Sequence, residues 1–469
     1  MKIKILKYLS GFLIVIGIYS LFIHLIYIQN IKMGLKFLMV LSFLTFSFII
    51  KNFFSTFAIA SPLLLTLLLR WFFQVSDYYS PHLAFSIIDF FSFFYIFKLL
   101  TKNFKMKSKE FFTPFILTFL FLIILSSFFA KSIKHTYIIF LFTFLVFLYY
   151  LSLVNEIDSF EKICNFIFFI ILFSIFNSFV SFLQWKGIKI VFLGEEITKV
   201  PTGSFWGATR VRGILSHMNS LPAILAFLNS IFLAIIFSDV KKYIKIFSII
   251  AIIFSIPAII FSLSRAGYIC VIIGFITFFT LYLLKKEKKE ELIKISQILL
   301  FSSIILILLI SFIPQARFRI FDLINFQKDP AAMIRFNLWK NSIKTFLEKP
   351  FGIGWGNFGL EPYSKGLWRP HNLYIHIMVE LGIGGLIFLI FFVFYVSKNL
   401  YQLFKKIKEK NLQFLTYGVI SSWIIFFFHN LFESIWIPYY HNMESLTFAW
   451  LLLLTNFLLC KLEDQSKFL

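Results

Sequence analysis

Apolar runs of about 18 to 23 residues recur along this chain from one end to the other, each long enough to cross a hydrocarbon layer roughly 30 Å thick. A soluble reading would need several domains hiding far more hydrophobic surface than ordinary cores do, because 59% of the residues are apolar and only 14% charged. The expectation is therefore an all-α, polytopic bundle of about 12–14 transmembrane helices. Fourteen crossings of about 20 residues use about 280 positions, which leaves little for a separate water-soluble domain, so residues 1–469 are read as a single membrane domain. The span centres fall near residues 18, 42, 63, 91, 120, 145, 173, 228, 254, 275, 305, 384, 422 and 450.

Lys and Arg number 45 against 22 Asp and Glu, a balance of +23 that in a soluble chain would raise nucleic acid as a partner. Membrane orientation explains the excess first, and no nucleic-acid partner is expected. Cys164, Cys270 and Cys460 sit in or beside apolar runs and form no C-x-x-C pair, so neither a disulfide framework nor a zinc site is inferred. Lys2, Lys4 and Lys7 before the apolar stretch 11–27 resemble a signal peptide. That stretch is too long and lacks a small-x-small cleavage site, and it reads as the first span.

Cytoplasmic loops collect Lys and Arg because positive segments resist translocation and the inner leaflet is anionic. With the N-terminus inside, the cytoplasmic set receives Lys102 to Lys109, Lys241 and Lys242, the run Lys285 to Lys289, and Lys405 to Lys410. Both termini are then cytoplasmic, and the segment 74–81, with no Lys or Arg, falls outside. So do two long connections, 186–217 and 314–371. Arginine follows the opposite rule: Arg210, Arg212, Arg265, Arg317, Arg319, Arg335 and Arg369 are all assigned to the outer side, with Arg70 near the outer end of its span. A planar, permanently charged fork that grips phosphate oxygens in pairs is what guanidinium offers and lysine does not. A loop merely decorated with surface cations is the plainer alternative, and Lys would serve it.

The segment Thr209-Arg210-Val211-Arg212-Gly213 to Asn219 holds two arginines at a membrane boundary. Ser264-Arg265 interrupts two apolar runs so tightly that Arg265 must sit at a hairpin tip or just inside the membrane, there to snorkel or to pair with an anion. Asp329-Pro330 starts, and Lys349-Pro350 stops, a helix with Phe336, Trp339, Ile343, Phe346 and Leu347 at helical spacing. Such a helix could lie flat on lipid with Arg335 and Trp339 on similar sides, the arginine aimed at a headgroup. Residues 354–359 match G-x-G-x-x-G, but no strand precedes them and no βαβ unit surrounds them; a hinge or a close backbone approach to substrate fits better than a dinucleotide site, with a plain turn as the simpler choice. His371, opening the span that begins near Ile375, is a candidate general base, although a lone histidine there is more often a cap; its arginine company favours the base. His376 has no ligand set beside it, so a metal is not expected. His429, Glu433, His441 and Glu444 read as supporting polar groups or as an interfacial belt with Trp436 and Tyr439, the belt being favoured.

These pieces together resemble the O-antigen ligase and polymerase family of bacterial membrane glycosyltransferases. The matching residues are Arg210-x-x-Gly213 with Asn219, Ser264-Arg265, Arg335-x-x-x-Trp339, Pro350-x-Gly352-x-Gly354, His371-Asn372-x-Tyr374 and Glu380-x-Gly382. The likeness spans roughly residues 200–400, taking in the outer loop 314–371; Met218 stands where the family often has proline, and its usual span count is about twelve. The resemblance implies transfer of a glycan from an undecaprenyl-diphosphate carrier at the outer face of the cytoplasmic (inner) membrane, in cell-envelope polysaccharide or lipopolysaccharide biosynthesis. It implies that Arg210, Arg212, Arg265 and Arg335, with Asn372 and Tyr374, bind the diphosphate and substrate, and that His371 takes the acceptor proton. No cofactor is implied. The acceptor is left open among lipid A core, a second lipid-linked glycan and a protein hydroxyl. The rival class is a lipid-linked glycan flippase or another multispan transporter, for which Asp89 and Glu380, well inside apolar runs, speak most strongly.

Overall fold

The computed structural model describes residues 109–192, 195–196, 210–215, 217–285, 330–434 and 443–466, with scattered positions elsewhere. Helices account for nearly all of it: α1 (Thr113–Ser126), α2 (Ile133–Glu156), α3 (Phe160–Trp185), α4 (Ser220–Phe237), α5 (Lys242–Phe261), α6 (Arg265–Leu284), α7 (Pro330–Glu348), α8 (Leu373–Lys406), α9 (Lys410–His429) and α10 (Met443–Ser466). Extended pairing among the described residues is limited to Val191–Phe192 against Glu195–Glu196. Eight of the described helices are long and apolar enough to cross a membrane, and the shorter apolar stretch Thr113–Phe129 joins them. The protein is a polytopic all-α membrane protein. The expected spans centred near 120, 145, 173, 228, 254, 275, 384, 422 and 450 each coincide with one of these helices. Those centred near 18, 42, 63, 91 and 305 lie outside the described residues.

Buried α4 and α9 form the spine, packed on each other and on α6, while α5 joins α3 to α4. Lipid tails are as apolar as leucine, so polar side chains and close packing must hold such helices together. Asn229 on α4 and Ser255 on α5 exchange hydrogen bonds at 2.8 and 3.0 Å. Ser422 on α9 donates to the Phe227 carbonyl of α4. Trp423 donates to Thr455 of α10, and Trp450 of α10 to Tyr149 of α2.

The chain alternates direction, so the connections sort into two ends. At one end Lys285 reaches the Lys405 carbonyl, Asp239 bonds to Asn411, and Lys109 pairs with Glu463. That end carries the lysine-rich connections. At the other lie the C-termini of α3, α5 and α9, the N-termini of α4, α6 and α8, and α7.

α8 is broken. Gly382 has φ 65° and ψ −152°, far from helical values, and the carbonyls freed by the break need donors because no water reaches them in hydrocarbon. The glycine-rich segment after α7 supplies them: Ile353 N–H donates to Val379 O and Gly354 N–H to Glu380 O, while Ile383 N–H donates to Pro350 O. The Glu380 carboxylate completes the splice by accepting from Gly356 N–H at 2.8 Å and Phe358 N–H at 2.7 Å. A Cβ at Gly352 would stand 2.4 Å from Glu380 O, so only glycine lets the two backbones approach. The G-x-G-x-x-G stretch thus meets the backbone of α8.

Candidate functional site

At the arginine end, side chains from five segments meet around a pocket of about 550 Å³ lined by Arg210, Asn219, Arg265, Arg335 and Glu433, with Ser264 and Ala266 from the first turn of α6. Each is placed by a local cause. The loop carrying Arg210 is pinned to α3: Gln184 accepts from Arg212 N–H and Gly213 N–H and donates to Gly213 O, and Asn177 accepts from Ile214 N–H. Arg210 donates to Ser262 O at 2.9 Å and to Asn219 at 2.8 Å, tying that loop to the α5–α6 corner and the start of α4. Ser264 caps α6 by accepting from Gly267 N–H, and Arg265 follows as the first helical residue. The positive end of that helix dipole adds to the guanidinium charge.

Arg335 comes from α7. Its helix begins at Pro330 and ends at Glu348, as the proline and Lys-Pro signals predict. Arg335 and Trp339 do share a side, but the arginine turns to Glu433 at 2.7 Å rather than to lipid, while Trp339 donates to Pro370 O. The expected apolar stripe divides: Trp339 and Phe346 are half-buried against the bundle, and Phe336, Ile343 and Leu347 are exposed.

His371 stands one residue before the α8 N-cap, outside the helix. Asn372 is the cap, accepting from Ile375 N–H and donating to Leu431 O. The backbone of His371 is left-handed, φ 55°, a conformation uncommon for a side-chain-bearing residue. Its Nδ1 meets Glu433 Oε2 at 2.8 Å. Glu433 is almost wholly buried and receives a third partner, the Asn219 amide. Burial alone would raise its carboxyl; His371 and Arg335 outweigh that and hold it well below the usual carboxylate range. An ionised carboxylate only accepts, so Nδ1 carries a proton, and in the neutral ring Nε2 is the acceptor.

A second imidazole lies beside the first. The His217 ring centroid is 6.4 Å from that of His371, and its Nδ1 accepts from Asn219 N–H. Burial, with Arg369 next in weight, lowers it to about 3. It is a neutral ring with its proton on Nε2.

Arg210, Arg265 and Arg335 therefore line one pocket, and His371 adjoins it through Glu433. Arg212 is absent from the lining; its backbone serves the α3 clamp. Tyr374 is also elsewhere: its hydroxyl donates to Phe427 O and its ring faces an apolar crevice of about 850 Å³ between α1, α2, α8, α9 and α10. Asn372 works as a cap. Glu433 was favoured by its aromatic neighbours as belt, yet it joins Arg335, His371 and Asn219; the available signal was a lone carboxylate just past the end of α9. Among the described residues no cluster of three or more His, Cys, Asp or Glu forms a metal site.

Three guanidiniums line one pocket with a carboxylate that Arg335 contacts, and an imidazole bonded to that carboxylate adjoins it, at one end of a multispan bundle. Residues 250–390 match the family model described as O-antigen ligase, which agrees with the resemblance seen in the motifs. The match includes Arg265, Arg335, His371 and Glu380; Arg210, Asn219 and Glu433 lie outside it. It supports a membrane glycosyltransferase-like function. No curated protein matches the chain.

Proposed function

We propose that the protein transfers a glycan from an undecaprenyl-diphosphate carrier to an acceptor hydroxyl at the outer face of the cytoplasmic membrane. The supporting observation is the convergence of Arg210, Arg265 and Arg335 on the pocket beside the His371–Glu433 pair. His371 Nε2 takes the acceptor proton and the acceptor oxygen attacks the anomeric carbon. The bond from that carbon to the diphosphate oxygen breaks, and the electron pair leaves with the diphosphate. Charge that develops on this leaving group is what preoriented guanidiniums and the α6 N-terminus stabilise. Glu433 keeps Nδ1 protonated and stabilises the imidazolium that forms. The apolar crevice, reached from Leu373 and Tyr374, suits an isoprenoid chain.

The transporter reading rests on two acids that lie inside apolar runs. Glu380 is engaged by two loop N–H groups and by His376 at 3.4 Å, which leaves it a structural task; Asp89 lies outside the described residues. The test is a reconstituted transfer assay with an undecaprenyl-diphosphate oligosaccharide and lipid, glycan and protein acceptors. His371→Ala should lose about 10²–10⁴-fold in turnover, the usual share of a general base, and Arg265→Lys should lose turnover because a point charge replaces a fork. Full activity in either correctly inserted variant removes that residue from its role.

A further inference from the structure

Only one side of α7 is held by the bundle. Successive helical residues turn by about 100°, which places Ala332, Arg335, Leu338, Ser342 and Thr345 together; Ala332, Leu338, Ser342 and Thr345 are buried, and Arg335 reaches Glu433. Roughly a third of a turn away on the same cylinder runs a second strip, Phe336, Ile343 and Leu347, which is 57%, 45% and 73% exposed. Beyond it lies a third, with Asn337, Lys340, Lys344 and Glu348 exposed and Met333 among them, while exposed Ile334 borders the docked side. A helix that is docked, greasy and charged on three successive sides has the pattern of one lying in a membrane interface.

Continuity with the lipid-facing surface identifies what covers the greasy strip. Leu347 leads to Phe351, exposed and stacked on Phe129 with centroids 5.4 Å apart and planes at 13°. Phe129, with exposed Phe128 beside it, closes the end of α1, whose outward residues include Leu117 and Phe121. Pro350 is bonded to Ile383 of α8, which presents Ile387 and Phe391 outward. The exposed sides of α1 and α8 thus lead through Phe129 and Phe351 towards the strip on α7, with exposed Glu348 and Lys349 at the corner between Leu347 and Phe351.

We infer that α7 is embedded in the bilayer leaflet on the site's side, with Phe336, Ile343 and Leu347 among the acyl chains and Lys340 and Lys344 at the level of anionic headgroups. Arg335, on the docked side, is thereby fixed at phosphate depth, where a lipid-borne anion arrives by lateral diffusion. The inference stands independently of the transfer reaction, since it concerns where the helix lies.

The test uses the full chain with Cys164, Cys270 and Cys460 replaced by alanine and single cysteines at Phe336, Ile343, Leu347, Lys340 and Lys344. Each is labelled with a nitroxide in vesicles of phosphatidylethanolamine and phosphatidylglycerol, and collision rates with oxygen and with a water-soluble nickel chelate are read by spin-resonance power saturation. The expected result is a higher oxygen-to-nickel ratio at Phe336, Ile343 and Leu347 than at Lys340 and Lys344. The adjacent pair Ile343 and Lys344 share backbone mobility, so their contrast reports environment alone. Equal access to nickel at all five positions would show a water-facing helix and overturn the inference. Exclusion of both reagents from the apolar strip would show a protein cover and overturn it equally.

Discussion

Glu433 joins the candidate base to the candidate anion site, since one carboxylate contacts both His371 and Arg335. Glu433→Gln keeps the shape and removes the charge. The imidazolium formed during transfer then loses its counter-ion and the tautomer is no longer enforced, so kcat should fall steeply, towards the ~10⁴-fold loss that follows neutralising the orienting carboxylate of a Ser–His–Asp triad. Single-turnover kinetics check it, and unchanged turnover would detach Glu433 from the chemistry. His217 makes a prediction about pH. Its imidazole is held at about 3 in the folded protein, whereas an unfolded histidine titrates near 6.5. Between those values the unfolded state binds the extra proton, so stability falls as pH drops below about 6.5 and goes on falling towards 3. Glu433, whose carboxyl is depressed, starts to lose its own contribution only below the ordinary carboxylate value of 4.5, under the pH 7 to 5 range of the test. His217→Asn should therefore show a shallower decline in melting temperature between pH 7 and pH 5; a decline as steep as the parent's would refute the assignment. At this scale the sequence displayed the arginines because guanidinium stands out where lysine is expected. It hid Glu433, since a carboxylate three residues before Trp436 reads more readily as belt until the chain is folded back onto α7.

The splice between α8 and the glycine segment decides how α7 and His371 are held relative to each other. α7 delivers Arg335 and runs directly into residues 350–358, and those residues are bonded to α8, whose N-terminus follows His371. Glu380→Ala strands the buried N–H groups of Gly356 and Phe358, and each stranded donor costs about 1–3 kcal/mol. The expected outcome is a clear loss of thermal stability, smaller for Glu380→Gln, which retains one acceptor. Melting curves in the same detergent check the order, and equal stability of the alanine variant and the parent would mean the clamp is idle. The bounds of α7 were legible because Asp-Pro and Lys-Pro punctuate a helix locally. The break at Gly382 was not, since apolar residues continue on both sides. Its repair depends on a loop about 30 residues earlier, which spacing within one helix cannot reveal.

Among the described residues the arginines of the pocket share their end with Lys131, Lys340, Lys344 and Lys349, and the lysine-rich connections stand at the other. Arg210, Arg265 and Arg335 meet at one end, while Lys285 reaches the Lys405 carbonyl and Lys109 meets Glu463 at the other. The bundle itself was readable, because a run long enough to cross hydrocarbon has few other fates, whereas the order in which spans pack rests on contacts such as Asn229 with Ser255 that no periodicity encodes. The lysine-rich connections turn into an orientation through the rule that such loops stay in the cytoplasm. Alkaline phosphatase folds to an active form only after export, so a fusion within residues 320–360 should be active and one near Lys288 inactive. The two fusions flank a single predicted crossing, centred near residue 305, and their opposite activities also require that segment to span the membrane. Equal activity on both sides would remove the crossing. The reverse pattern would put the arginine pocket on the cytosolic side, where transfer at the outer face could not use it, and the proposed reaction would fall while the helical bundle remained.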